Sequence, residues 1–464
     1  MTCEMSGRAA GRKAQKATLT LLCVAILLLV YGLTMPPTLS WAHNGADGGD
    51  LVTAALLGRL PHPPGFPTWM LLARFFLRLP WGDPAWRLNL FSALSAALSA
   101  AFLCRAARHL PLAPRPLPLA PVAALALGLS PLLWSQALIA EVYAPAALFA
   151  ALLLWLALRG CPAWALGLLW GLGLGVHPTL LFLAPLVGWA AWQGAARWRR
   201  TGEVALAALV ATGLAYGPGL LLWRTPSPWG SLATPADWWA YVSGRLYHGY
   251  LLALPLAAWP ARLWAWAALL ARQFTPPGAA LAGWGWWTLR RAQPGLAWAT
   301  LAAFGGFSLY ALSYNTADSF VYLTAALPLA ALWLAAGLAQ AALWLDARWK
   351  RGRLLLLALP LLQLVLFWGA MDVSADRSAL SWAEEVLAAA PPNAVVITAA
   401  DAHTFALWYT HDGLGQRPDV VIIDRDLWAQ DGYRRMVSAA LGATAADIDT
   451  ATRQAARPLV IADE

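Results

Sequence analysis

Charge is scarce in this chain. Only 12% of its 464 residues are Asp, Glu, Lys or Arg, where a soluble globular chain carries about a quarter. So few ionic groups cannot clothe a water-exposed surface, which excludes a wholly soluble protein. Cysteine is rare too. The four present (Cys3, Cys23, Cys104 and Cys161) fall in apolar segments or beside the basic N-terminus, which excludes a disulfide-stapled secreted scaffold. No Cys/His metal spacing, Walker loop, serine elbow or dinucleotide fingerprint is found. Gly171-Leu172-Gly173-Leu174-Gly175 lies inside an apolar helical segment, so it reads as helix packing rather than nucleotide binding. There is no internal repeat, and no low-complexity tract beyond an Ala/Leu bias.

What the chain has is apolar length. It is 60% hydrophobic with 29 Trp, and its mean hydropathy is +0.56. Ala/Leu/Trp runs long enough to cross a bilayer recur between short Arg- or Pro-bearing breaks, the pattern of a polytopic α-helical membrane protein. The net charge of +9 does not indicate nucleic acid, because the arginines sit in small clusters between the runs and serve topology. Arg8, Arg12, Lys13 and Lys16 precede an apolar run reaching Leu33, and Met35-Pro36-Pro37 is a poor cleavage site. The first segment is therefore expected to be a retained helix, not a cleaved signal.

Basic loops stay cytoplasmic. With the N-terminus inside, about eleven transmembrane helices are expected, near 17–35, 88–107, 118–135, 142–158, 163–177, 179–194, 203–222, 277–289, 297–313, 320–344 and 354–371. The loop 36–86 and the Trp-rich stretch 224–273, with its interfacial helices, then lie outside. Every dense basic cluster lands inside. This makes residues 1–372 a transmembrane domain. In residues 373–464, Ala394–Thr398, Asp419–Asp424 and Leu459–Ile461 read as buried strands among helical patterns, a small extracytoplasmic α/β domain.

The same topology collects the polar residues on the outer face. Asp47, Asp50 and His62 lie in the first outer loop, Glu141 and Tyr143 open the fourth helix, His177 ends the fifth, and Asn315 and Asp318 link the ninth and tenth. Ionisable groups beside apolar helices tend to be functional, and this placement argues against a proton relay through the membrane centre. In Ala46-Asp47-Gly48-Gly49-Asp50, Asp50 precedes a short apolar helix closed by Gly58 and reads as its N-cap. Asp47, upstream of the cap, is the preferred reactive carboxylate, and the two glycines between would let the backbone approach a ligand. Pro61-His62-Pro63-Pro64-Gly65-Phe66-Pro67 fixes a rigid turn presenting one histidine. That histidine either binds phosphate, orients a carboxylate, or hydrogen-bonds backbone in a surface turn. Glu141 complements a helix dipole. Trp238, Trp239, Tyr241, Arg245, Tyr247 and His248 mix rings with cations, suiting interfacial anchoring or a lipid phosphate or sugar.

Together these motifs resemble a family. Asp47-Gly48-Gly49-Asp50 and His62-Pro63-Pro64-Gly65-Phe66-Pro67 are similar to the Asp-Ser-Gly-Glu and His-Pro-Pro-Gly-Tyr-Pro pattern of a bacterial membrane family, formerly a domain of unknown function. Its animal relative is the O-mannosyltransferase acting on IPT domains. The resemblance continues through Arg87-Leu88-Asn89-Leu90-Phe91-Ser92, Glu141-Val142-Tyr143, Gly173-Leu174-Gly175-Val176-His177, Asn315-Thr316-Ala317-Asp318 and Arg417-Pro418-Asp419-Val420. It departs at Gly48, where the family has Ser, and at Asp50, where it has Glu.

The resemblance implies a GT-C glycosyltransferase in a bacterial plasma membrane. It would move a sugar, mannose by resemblance, from a polyprenyl-phosphate donor to a hydroxyl of a protein or glycan, with inversion. Catalysis would fall to Asp47 and Asp50, and substrate binding to His62, Glu141, Tyr143, His177, Arg245 and Asp318. A resident metal is not indicated, since spacing alone does not bring Asp47, Asp50 and Glu141 together on a divalent ion. A lipid-linked-sugar transporter or flippase, which would need polar midplane groups and broken repeated helices, and a non-catalytic scaffold are the alternatives.

Overall fold

The computed structural model of the chain describes residues 2–110, 119–220, 227–230, 232–443 and 447–463. The start of the helix expected at 118–135, the end of that at 203–222, and residues 224–226 of the Trp-rich stretch lie outside them.

Helices dominate, and their ends follow proline. Among the described residues five helical segments are long and apolar enough to cross a membrane: Ala17–Thr34, Pro84–Ala107, Pro294–Ser313, Ser319–Asp346 and Gly352–Met371. A sixth is a broken pair, Ala120–Gly128 and Pro131–Ala137, bent by 63°. The break has a local cause. Ser130 is extended at ψ 132° before Pro131, because a proline ring disfavours helical backbone in the residue preceding it. Other expected spans are shorter helices, Tyr143–Arg159, Ala163–Leu174 and Pro178–Ala191. The last of these opens as a 3-10 turn at Pro178. The helix expected at 277–289 extends over Thr275–Ala292, 18 residues. Within 224–273, helices Pro235–Val242 and Trp259–Gln273 flank two short 3-10 turns. Trp264 and Leu256 on this stretch are exposed, as interfacial anchors would be.

The strands form where the β-branched runs are. β1 (Val395–Thr398), β2 (Val421–Asp424) and β3 (Leu459–Ile461) make a parallel sheet in the order β2-β1-β3. Val395 stands opposite both Val421 and Leu459. β1 is buried along its whole length, as a central parallel strand should be. The helix Asp401–Trp408 leaves the end of β1.

The core divides unevenly. One cluster lies within the helical bundle. The second joins Leu51, Val52, Trp69 and Leu88 to Val395, Phe405 and Tyr409. The first loop thus packs its apolar face on the sheet-bearing segment. Polar ties reinforce the joint. Arg59 pairs with Asp412 at 2.7 Å, and the Tyr409 hydroxyl donates to Asp83 at 2.6 Å.

Candidate functional site

The first loop folds differently at its acids from the capping pattern. The short helix starts one turn earlier, at Gly48, and runs to Leu57 with Asp47 at the N-cap position. Asp50 is therefore not the cap; it lies inside the first turn. Asp47 makes no side-chain cap bond either, so its carboxylate is free to face elsewhere. Gly58 does close the helix, left-handed at φ 70° with its N–H on Ala54 O. Gly49 has a use the pattern did not show. A Cβ there would collide with the carbonyl of Phe405, so the close approach is made by the sheet-bearing segment rather than by a ligand.

Asp50 is fully buried and works on His62. One oxygen, Oδ2, accepts both the His62 backbone N–H at 2.7 Å and ring Nδ1 at 2.9 Å. Its other oxygen accepts Trp229 Nε1 at 3.0 Å. Three donors on one carboxylate fix the imidazole's orientation, as second-shell acids fix catalytic histidines. The far nitrogen, Nε2, then lies 3.7 Å from Asp47 Oδ2. The three side chains form a line: Asp50, His62, Asp47.

The electrostatics follow from this line. Burial pushes the Asp47 carboxyl up. His62 pulls it back down, while Asp50 and Asp318 add to the rise, and the net direction is upward. For His62, burial opposes the charge, but Asp47 and the hydrogen-bonded Asp50 outweigh it and hold the imidazole above its ordinary value. The result is an imidazole held between two acids, with both it and the Asp47 carboxyl shifted upward. The Asp47 side chain is 39% exposed, and it lines an open cavity.

The cavity, about 500 Å³, has walls from four parts of the chain. The first loop gives Asp47, His62 and Phe66. Phe66 is held left-handed at φ 43°, and its ring stacks on His177 at 5.8 Å. The membrane-helix ends give Tyr143, His177, Tyr310, Tyr314, Asp318 and Tyr322. His177 ring Nδ1 accepts the Thr179 N–H at 3.2 Å, capping the turn that follows. Tyr322 packs edge-on against Tyr143, Tyr310 and Tyr314. Arg262 holds the Asp318 loop by donating to Tyr314 O and Thr316 O at 3.1 and 3.0 Å. The third wall is Asp401 and Phe405 of the sheet-bearing segment, and Tyr247, His248 and Tyr250 at its side are the fourth.

Of the expected residues, Asp47, His62, Tyr143, His177 and Asp318 thus meet in one space, with Asp50 directly behind. Two do not join them. Glu141 is 1% exposed and is not among the lining residues; its Oε2 accepts the Val142 N–H, and burial, then Asp47, pushes its carboxyl well up. A buried acid next to the helix start, it neighbours the site and is not a wall of it. Arg245 lines a different cavity, beyond Pro63 and beside Tyr433 and Arg435. The first 3-10 turn after Gly244 carries its side chain away, while Tyr247 and His248 turn inward.

Asp401, Trp229 and the tyrosines 310, 314 and 322 escaped the sequence reading. Only the tyrosines left a signal, a helical i, i+4 pair followed by a third beyond Asp318. Among the described residues, no lysine or arginine lines the cavity, and no group of three or more His, Cys, Asp or Glu side chains is gathered to hold a metal ion.

A helical membrane bundle carrying a small α/β unit is the architecture of the GT-C fold. The structure shares that fold with ArnT from Cupriavidus metallidurans bound to undecaprenyl phosphate (TM-score 0.53, 16% identity, 89% of this chain and 91% of that one). It shares it also with the archaeal oligosaccharyltransferase AglB from Archaeoglobus fulgidus in complex with an inhibitory peptide and a dolichol-phosphate (TM-score 0.55, 12% identity, 97% and 69%).

Two segments of the sequence also match known family models. Residues 47–199 match the protein O-mannosyl-transferase TMEM260 N-terminal domain, and residues 379–455 match TMEM260-associated domain 2. The chain is 30% identical over 209 residues to the protein O-mannosyl-transferase TMEM260 of Mus musculus, which is 42% of this chain and 28% of that protein. The chain is similar to TMEM260 over these segments, and its match spans under a third of the mouse protein's length.

Proposed function

We propose that the protein is an inverting membrane glycosyltransferase. It transfers one sugar, mannose by family, from a polyprenyl-phosphate-linked donor to a Ser or Thr hydroxyl of a protein. The observation that carries this reading is the Asp47 carboxylate, facing a ring-lined cavity with its charge balanced by an anchored His62. The acceptor hydroxyl gives its proton to Asp47 as its oxygen attacks the anomeric carbon. The bond from that carbon to the phosphate oxygen breaks, and the electron pair leaves with the phosphate. A single displacement inverts the anomeric configuration. General-base help of this kind is worth about two to four orders of magnitude in rate.

The walls suit the parts. Tyrosine and phenylalanine rings offer flat faces to a sugar, and hydroxyls and histidines offer donors to the leaving phosphate. His62 and His177 serve there, and Asp318 binds sugar hydroxyls. Undecaprenyl phosphate in ArnT, and dolichol-phosphate with a peptide in AglB, support a lipid-linked donor and a protein acceptor. We read residues 1–372 as the transmembrane domain and 373–464 as the extracytoplasmic one. The N-terminus is cytoplasmic, and the cavity faces outward from a bacterial plasma membrane. Arg105, Arg108, His109 and Arg159 share one crevice at the other ends of their helices, as a cytoplasmic face requires.

Purified full-length protein in nanodiscs, given polyprenyl-phosphate mannose and Ser/Thr peptides, should yield a mannosylated peptide of inverted configuration by NMR. Absence of transfer from every polyprenyl-phosphate sugar tried overturns the reading.

A further inference from the structure

One wall of the cavity comes from outside the membrane helices. Helix Asp401–Trp408 places Asp401 and Phe405, one turn apart, on the cavity surface. The helix is firmly set. Trp41 Nε1 donates to Ala402 O at 3.0 Å, and the Thr404 hydroxyl links Thr398 to Asp424, each at 2.6 Å. The Gly49 backbone lies directly against Phe405. Neighbouring acids of this unit are committed: Asp412 to Arg59, Asp419 to Arg417, Asp424 to Thr404 and Leu427 N. Asp401, exposed at the cavity, accepts no hydrogen bond on its carboxylate from any described residue.

Resting on the transferase reading, we propose that Asp401 binds the acceptor, accepting a peptide N–H beside the reacting hydroxyl and so setting that hydroxyl on Asp47. A lipid donor enters from the membrane-helix side, where the tyrosines stand. A polypeptide arrives from the aqueous side, whose wall is Asp401 and Phe405. The reacting O–H has one proton and Asp47 takes it, so a second carboxylate must find another donor. A peptide acceptor carries N–H groups next to every Ser or Thr hydroxyl, and a glycan carries none on its backbone. Phe405 beside it offers an apolar face to the peptide. Burial, then the charges of Asp47 and Asp424, push the Asp401 carboxyl up to about 6, so its bound form at neutral pH is the acceptor of hydrogen bonds.

The test uses full-length protein in nanodiscs, polyprenyl-phosphate mannose and a Ser/Thr peptide. Asp401→Ala should raise the peptide KM about ten- to a hundredfold, the range for a hydrogen bond to a charged group. Donor binding and slow donor hydrolysis should be unchanged. Asp401→Asn keeps a carbonyl oxygen and should fall between, which also serves if the alanine variant does not fold. Wild-type peptide KM in both variants overturns the assignment, as does an equal loss of donor binding. A wild type that transfers from no donor overturns the transferase reading and this assignment with it.

Discussion

A single oxygen of Asp50 accepts both the backbone N–H and the ring Nδ1 of His62. The acid therefore fixes the histidine twice, once through the chain and once through the ring, and leaves Nε2 directed at Asp47. Replacing Asp50 by Asn keeps an oxygen for one donor but places an NH2 or an uncharged oxygen against the others. Transfer should fall about tenfold or more, less than for the base itself. Loss of a buried, charge-assisted partner should cost roughly 1–3 kcal/mol of stability, read by thermal or denaturant unfolding. Unchanged kcat with unchanged stability would refute the orienting role.

Asp47→Asn should abolish most transfer, by about two to four orders of magnitude, with the melting temperature near wild type. Asp47 contributes no cap bond, so its loss leaves the helix intact. A mass-spectrometric transfer assay decides, and retained transfer removes Asp47 from the base role.

The acid limb of the pH profile has a worked sign. Asp47 must be ionised to act, and burial raises its carboxyl while His62 lowers it. Asp401, facing Asp47, His62, Asp424 and Asp426, titrates about 6. Transfer should fall as pH drops through the raised Asp47 carboxyl, and the peptide KM should rise as Asp401 protonates at about 6. His62→Gln removes the cation beside Asp47, so the Asp47 carboxyl rises further and the limb moves to higher pH. A limb that stays in place in the variant, or moves down, contradicts the pairing.

Gly49→Ala should loosen the joint between the first loop and the sheet-bearing segment, because its Cβ meets the Phe405 carbonyl. Overpacking of this kind costs about 1–3 kcal/mol. Faster hydrogen exchange in residues 401–413 should accompany reduced transfer, while the membrane helices keep wild-type protection.

Much of this was written in the sequence because it is local. Apolar runs, proline breaks and basic clusters depend on near neighbours, and the three strands follow β-branched runs at 395–398, 421–424 and 459–461. Asp47 and His62 were legible because a glycine pair and a proline-rich turn set them apart. Asp50 was misread because capping spacing is a one-dimensional signal, while its partners His62 and Trp229 lie 12 and 179 positions away. Arg245 lies near Tyr247 in sequence but lines a neighbouring cavity, because a 3-10 turn separates the directions of their side chains. Asp401 carries no motif. Only tertiary packing brings it to Asp47, and no spacing rule encodes that.

Trp41 and Ala402, joined by a hydrogen bond, are 361 positions apart, and the loop and the sheet share one core. Synthesis proceeds at about 5–20 residues per second, so the reactive loop waits on the order of tens of seconds for its partner. During that interval the acids have no roof and Leu51, Val52 and Trp69 have no sheet to cover them. Until the segment carrying Asp401 and Phe405 is made, the cavity lacks that wall and the bundle holds an open pocket.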